Sequence, residues 1–178
     1  MIERFGWFLF CAMLHELGHV VAAKLVGVST QTIRLTLLGP IAYMPRFDDL
    51  SETKRMLVLL AGPAVSLVLF FGWKNQGFLG DINLLLAVFN LLPIRPLDGG
   101  ELFFMTTRKW VGTVNANHLL KKSADVCVAL IFFVGLVQVY LYPFNVSLIL
   151  LAVYLKKRAQ QCYHQTYHQL FRILSQRL

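Results

Sequence analysis

Apolar residues occupy this chain in five long blocks, separated by short polar or prolyl interruptions. The first runs from about Phe5 to Val26 and the second from Met56 to Trp73. A third starts near Phe78 and stays apolar to about Leu97, with Pro93 and Pro96 inside it. A fourth covers Ala124 to Tyr142, and a shorter fifth covers Phe144 to Leu155. Blocks of this length without turn signals predict helices that can cross a bilayer, the shortest with tilt or local thinning. Between the first two blocks the period changes. Ile33, Leu35 and Leu37 alternate with Thr32, Arg34 and Thr36, the twofold repeat of a half-buried strand. Gly39-Pro40 then punctuates, and Ile41–Met44 can return as a second strand. The expectation is an all-α membrane protein with about five transmembrane helices and a small membrane-face β-hairpin. Residues 1–155 form its core. Residues 156–178 form a basic amphipathic tail with a helical stripe of Tyr163, Tyr167, Leu170, Leu174 and Leu178.

Composition supports that class and excludes a soluble one. Hydrophobic residues make up 57% of the 178 and charged residues 15%, with a mean hydropathy of +0.60. A soluble chain this small could not bury so much apolar surface, so lipid must solvate part of it. The net charge of +8 would suit nucleic acid in another context. Here the basic residues fall in the gaps between apolar blocks, as cytoplasmic loops and attraction to anionic lipid require, so no nucleic-acid partner is expected. Arg108, Lys109, Lys121 and Lys122 mark one cytoplasmic loop, and Lys156, Lys157, Arg158, Arg172 and Arg177 mark a cytoplasmic tail. Counting back, the segment from Gly27 to Arg55 is also cytoplasmic and the amino terminus lies outside. The three cysteines, Cys11, Cys127 and Cys162, are odd in number and scattered, which argues against a disulfide framework.

The chemistry begins inside the first apolar block. His15-Glu16-Leu17-Gly18-His19 is an H-E-x-x-H motif. Residues four apart share a helix face, so both imidazoles can reach one metal ion, and the adjacent glutamate can hold a water as general base. A charged residue within a span costs roughly 2.5–3.5 kcal/mol on insertion scales, so this triplet has a function that offsets the cost. Cys11 lies one turn earlier on the same face. Three ligands in successive turns would spread over roughly 12 Å of helix, so Cys11 is expected to pack instead. His164 and His168 repeat the spacing without a base between them and belong to the polar tail, and His118 is expected in an exposed loop.

A catalytic zinc takes three protein ligands, so a third donor must come from elsewhere. Asp48, Asp49 and Glu52 read as solvated, Asp81 as outer, and Asp125 as the start of the fourth block. Asp98 stands apart, after Pro93-Ile94-Arg95-Pro96-Leu97 and before Gly99-Gly100. The histidines lie roughly 15–21 Å below the outer end of the first helix, and Phe78–Leu92 gives roughly 21 Å of helix before Pro93 breaks it. A chain that unwinds there can keep Asp98 near the histidine level, and unwound backbone at that depth is tolerated where it lines a hydrated cavity. The alternative is an ordinary turn aspartate before glycine.

His15-Glu16-Leu17-Gly18-His19 together with Asn90-Leu91-Leu92-Pro93-Ile94-Arg95-Pro96-Leu97-Asp98-Gly99-Gly100 resembles the site-2 protease family of intramembrane zinc metalloproteases. Ala61-Gly62-Pro63 matches a further element of that family, and the likeness covers about Cys11 to Leu155. The wording of Phe89–Gly100 is most similar to its sporulation members, which release a membrane-tethered sigma factor. Those members carry another span ahead of the metal motif and a nucleotide-sensing domain after the tail. Here four residues precede Phe5 and the sequence ends at Leu178. The resemblance implies that His15, His19 and Asp98 bind Zn2+, that Glu16 activates water, and that Asn90, Pro93 and Pro96 shape the site and position substrate. It implies a membrane-tethered protein substrate, inhibitory membrane partners, and a place in a bacterial cell membrane, the forespore membrane included. An extended substrate segment could pair with the hairpin edge by strand addition. The competing expectation is a non-enzymatic metal-binding membrane protein, a transporter or a scaffold. A transporter would show more ionisable residues along its spans.

Overall fold

The computed structural model describes residues 2–28, 32–36, 39–43, 47–142 and 145–175, with side chains described for 3–28, 47, 49–142 and 145–164. Its elements in order are α1 (Ile2–Leu25), β1 (Thr32–Thr36), β2 (Gly39–Tyr43), α2 (Glu52–Trp73), α3 (Phe78–Asn90), α4 (Asp98–Leu141) and α5 (Ser147–Ser175), with short 3-10 turns at Phe47–Asp49 and Lys74–Gln76. Internal contacts divide the chain into two units, Met1–Leu91 and Leu92–Leu178.

In the first unit α1 has 24 residues, about 36 Å at 1.5 Å per residue. It stops at a defined point. Gly27 takes φ +91, its N–H reaches the Lys24 carbonyl at 3.1 Å, and the Val28 N–H reaches the Ala23 carbonyl at 2.8 Å. This is the paired-bond helix end that a left-handed glycine permits. Val28 then tucks beside Ala23 and Val58 in a small buried cluster, which seals the turn. β1 and β2 pair antiparallel in the register Thr32–Tyr43 to Thr36–Gly39. Side chains over 29–46 lie outside the described residues, so the expected alternation across the strands does too. α2 packs along α1, and α3 packs along α2. Cys11, Ala12, Ile82 and Leu86 form a second buried cluster where α3 meets α1, so Cys11 packs as expected.

The third apolar block ends its helix slightly earlier than the expected Leu92. α3 closes at Asn90 with Leu91 still in the right-handed helical region as its cap, and Pro93 bars further helix by restricting Leu92 and offering no N–H. In the second unit, residues 92–97 form irregular turns with a cis Arg95–Pro96 bond before α4 starts at Asp98. The basic stretch 108–122, expected as a loop, is helical. α4 runs 44 residues with one break at Gly112 (φ 78, ψ 164), so His118 is exposed on a helix rather than in a loop. α5 likewise runs unbroken through Leu155-Lys156 and packs on α4.

Among the described residues five helices form, but fewer have spanning dimensions than the apolar blocks suggested. Among the described residues three are long and apolar enough to cross a membrane, α1, α2 and α4. α3 has 13 residues, about 20 Å, and α5 is apolar only over Ser147–Leu155.

Candidate metal centre

His15, Glu16 and His19 sit on one turn of α1, and their ligand atoms lie within 4.8 Å of one another. Among the described residues no other three such donors lie together. Both histidines are nearly sealed from solvent, at 2% and 6% exposure, while Glu16 is half-buried.

Helix α2 supplies the other wall. Val58, Gly62 and Ser66 are spaced four apart and buried on one face, and each meets the imidazole pair. The His19 Nδ1–H donates to the Val58 carbonyl at 2.7 Å. His15 Nδ1 lies 2.9 Å from Ser66 Oγ. Between them the bare backbone of Gly62 leaves the rings their room. A Cβ there would stand 2.7 Å from His15 Nε2 and 2.6 Å from His19 Cε1. The approach is reciprocal, since a Cβ on Gly18 would stand 2.9 Å from the Ala61 carbonyl oxygen. Small residues on both helices let the backbones close in, as in other helix pairs within membranes.

The remaining ring atoms converge. His15 Nε2 and His19 Nε2 are 3.3 Å apart. Two nitrogens held at 2.0–2.1 Å by a tetrahedral zinc stand about 3.3–3.4 Å apart. The outer nitrogens are engaged by α2 and the inner pair has the spacing of adjacent ligands, so the donor set fits zinc. Residues 5–73 and 72–134 match Peptidase family M50.

The chain belongs to that family.

It is similar to a candidate zinc metalloprotease of Synechocystis sp., with 38% identity over 127 residues, 63% of this chain and 33% of that protein. It is also similar to the stage IV sporulation protein FB of Bacillus subtilis, with 27% identity over 181 residues, 95% of this chain and 62% of that protein. Among solved structures, the Site-2 Protease from Methanocaldococcus jannaschii superposes with a TM-score of 0.64 at 27% identity, covering 88% of this chain and 76% of that one. The chain thus spans less than two thirds of the length of these two sequence relatives. The site-2 protease resemblance holds at the level of the family. The sporulation protein is one relative among several, so the narrower likeness to sporulation members carries no special weight.

The other expected site residues lie on other elements of the chain. Asn90 closes α3 half-buried, its Nδ2 donating to the Leu86 carbonyl at 3.0 Å. Pro93, Pro96 and Asp98 belong to the second unit, where Asp98 is half-buried in the first turn of α4. A carboxylate there gains from the positive end of the helix dipole. The turns holding the prolines are pinned from within that unit. Arg95 reaches Glu101 Oε2 through Nη2 at 2.9 Å and Asn117 Oδ1 through Nη1 at 3.5 Å. Its guanidinium lies 4.4 Å from the centre of the Phe104 ring, and Ser123 Oγ donates to the Pro93 carbonyl at 3.4 Å. The structure thus brings three of the expected residues together and sets the loop residues in a braced turn. Gly62 was singled out only as part of Ala61-Gly62-Pro63, and Val58 and Ser66 were not singled out by the sequence. The one usable signal was a lone serine within an otherwise apolar helix, one turn after Gly62.

Proposed function

We propose that this chain acts as an intramembrane zinc metalloprotease that cleaves a membrane-tethered protein within or at the face of the bilayer. The observation that carries the reading is the imidazole pair, with its inner nitrogens 3.3 Å apart and its outer nitrogens held by α2, beside a carboxylate on the same turn. Zinc in such a site supplies Lewis acidity, polarising a peptide carbonyl and making water nucleophilic near neutral pH. His15 and His19 would hold it, and Asp98 would complete the ligand set. Glu16 takes the proton of the attacking water and passes it to the leaving amine, the usual work of a positioned carboxylate. Near-complete burial of the imidazoles keeps bulk water from competing with substrate, and half-buried Glu16 stays reachable. Asn90, Pro93 and Pro96 shape the place where an unwound substrate segment lies. A sigma factor tethered by its pro-sequence is the first substrate to try, in a bacterial cell membrane that includes the forespore membrane.

The test is reconstitution of the chain in liposomes with membrane-tethered sigma factors. The parent should cleave, and Glu16→Gln should lose at least about 100-fold in rate while keeping its zinc. Cleavage at the parent rate by Glu16→Gln would reject the proposed base. Asp98→Asn should lower zinc content, and full occupancy would remove Asp98 from the ligand set.

A further inference from the structure

We propose that α4 carries a docking surface outside the bilayer, the tip of a helical hairpin around Trp110, and that it receives an acidic protein segment with an apolar face.

α4 does not run straight. Asp98 to Ser123 would measure about 38 Å as one continuous helix. Yet Ser123 Oγ donates to the Pro93 carbonyl at 3.4 Å, and Arg95 Nη1 donates to Asn117 Oδ1 at 3.5 Å. The chain therefore doubles back. The reversal falls at Gly112, whose φ of 78 and ψ of 164 suit a residue without Cβ. Two arms result, 98–111 and 113–123. Phe104, Met105, Ala116, Asn117 and Leu120 are buried along them, while residues 109–115 at the tip are all exposed. Trp110 is 88% exposed, Val114 63% and Val111 39%.

Lipid does not account for this apolar tip. The Asp125–Lys156 ion pair is 2.5 Å apart, with side chains 45% and 41% exposed. Charges facing hydrocarbon are costly, so the pair marks the edge of the span that follows. Lys121 and Lys122 are exposed on the tip side of it. From Asp125 the second arm continues unbroken to Thr113, about 18 Å of helix. Even at a tilt of 40° about 14 Å of that height remains, whereas the headgroup layer on one face is about 5–8 Å thick. Trp110 and the two valines thus stand in water past the headgroups. An indole adjoining two valines there is a patch for a partner to cover.

Charge decides the sign of that partner. No acidic residue lies between Glu101 and Asp125, where Arg108, Lys109, Lys121 and Lys122 all fall. A segment with carboxylates beside apolar side chains meets both features, its apolar face on Trp110 and its acids toward the lysines.

The experiment holds the full chain with Glu16→Gln, so that no peptide is consumed, in phosphatidylcholine nanodiscs. The probe is a fluorescent synthetic peptide with leucines on one helical face and glutamates on the other, read by anisotropy against empty discs. The parent should bind it above the empty discs. Trp110→Ala should weaken binding at least about tenfold with the melting temperature unmoved. Lys121→Glu combined with Lys122→Glu should also weaken it, and a peptide with lysines in place of the glutamates should not bind. Parent binding no better than that of empty discs would overturn the proposal, as would equal affinity for the two peptides or equal affinity of the parent and Trp110→Ala. If the alanine variant misfolds, the lysine pair decides, and full affinity after reversal of both charges would overturn the proposal. Lipid is tested in a chain with Trp7→Phe and Trp73→Phe, which leaves Trp110 as its one tryptophan. Brominated phosphatidylglycerol should leave the emission unquenched, and quenching would assign the tip to the membrane and overturn the protein partner.

Discussion

Replacing Gly62 by alanine separates metal binding from folding in one substitution. The new Cβ would stand 2.7 Å from His15 Nε2 and 2.6 Å from His19 Cε1, where ordinary contact begins at 3.4 Å. Each ring must therefore retreat by at least about 0.7 Å, several times the ±0.2 Å tolerance of zinc–ligand bonds. The retreat cannot be shared freely, because Ser66 and Val58 hold the far sides of both rings from the same helix that carries the intruding methyl. Displacing a ligand by that much should cost at least the tenfold to 100-fold in affinity seen when outer-shell support is lost, about 1.4–2.7 kcal/mol. Folding responds in the other direction. Alanine is better than glycine in a helix interior by about 0.8–1.0 kcal/mol, a gain that offsets bending the ring hydrogen bonds to Val58 and Ser66 when no metal ties the inner nitrogens together. Gly62→Ala should therefore keep or raise the melting temperature of the metal-free protein while losing zinc. The assay pairs chelator competition with thermal unfolding of stripped protein in the same detergent. Zinc affinity equal to the parent's would refute the account of Gly62 as the space in which the imidazoles meet.

Two further predictions concern the second unit. A Cβ on Gly100 would stand 2.6 Å from the Ile94 carbonyl carbon and 2.7 Å from the Arg95 nitrogen. Both are backbone atoms, so Gly100→Ala should destabilise by about 1–3 kcal/mol, seen as a lowered melting temperature, and an unchanged one would contradict the packing. Burial, the largest influence, pushes the Cys162 thiol up, with Arg95 and Arg158 pulling it part of the way back. A raised thiol pKa leaves less thiolate at neutral pH, so maleimide should label Cys162 more slowly than free cysteine, with the gap closing as pH rises. Labelling as fast as free cysteine at neutral pH would show the thiol to be unprotected.

The histidine motif was legible because its geometry is local. Two residues four apart on a helix face the same way whatever the rest of the chain does, so periodicity alone placed both imidazoles beside Glu16. Their function as a pair depends on more than that. A side chain four residues from another can still present its ring in several orientations, and the inner nitrogens converge only because Val58 and Ser66 hold the outer ones. Those partners are 39 and 51 residues away, set by the register in which Gly18 slides against Ala61. No period within either helix records that register. The helix limits went astray for a related reason. Apolar blocks record where lipid replaces water, and a helix need not stop where the solvent changes. Lys, Arg, Gln and His are tolerable helix residues in water, so α4 carries its backbone pattern through 108–122 and α5 carries its own past Leu155. Proline acts on the backbone itself, so Pro93 did mark the end of a helix, although α3 closed at Asn90. The same distinction applies to Asp98. Its sequence neighbours place it at the start of a helix, as an isolated turn aspartate would also be. Only loss of zinc on its substitution, and not on substitution of the equally half-buried Glu101 three residues on, would make it a ligand rather than a helix-terminal charge.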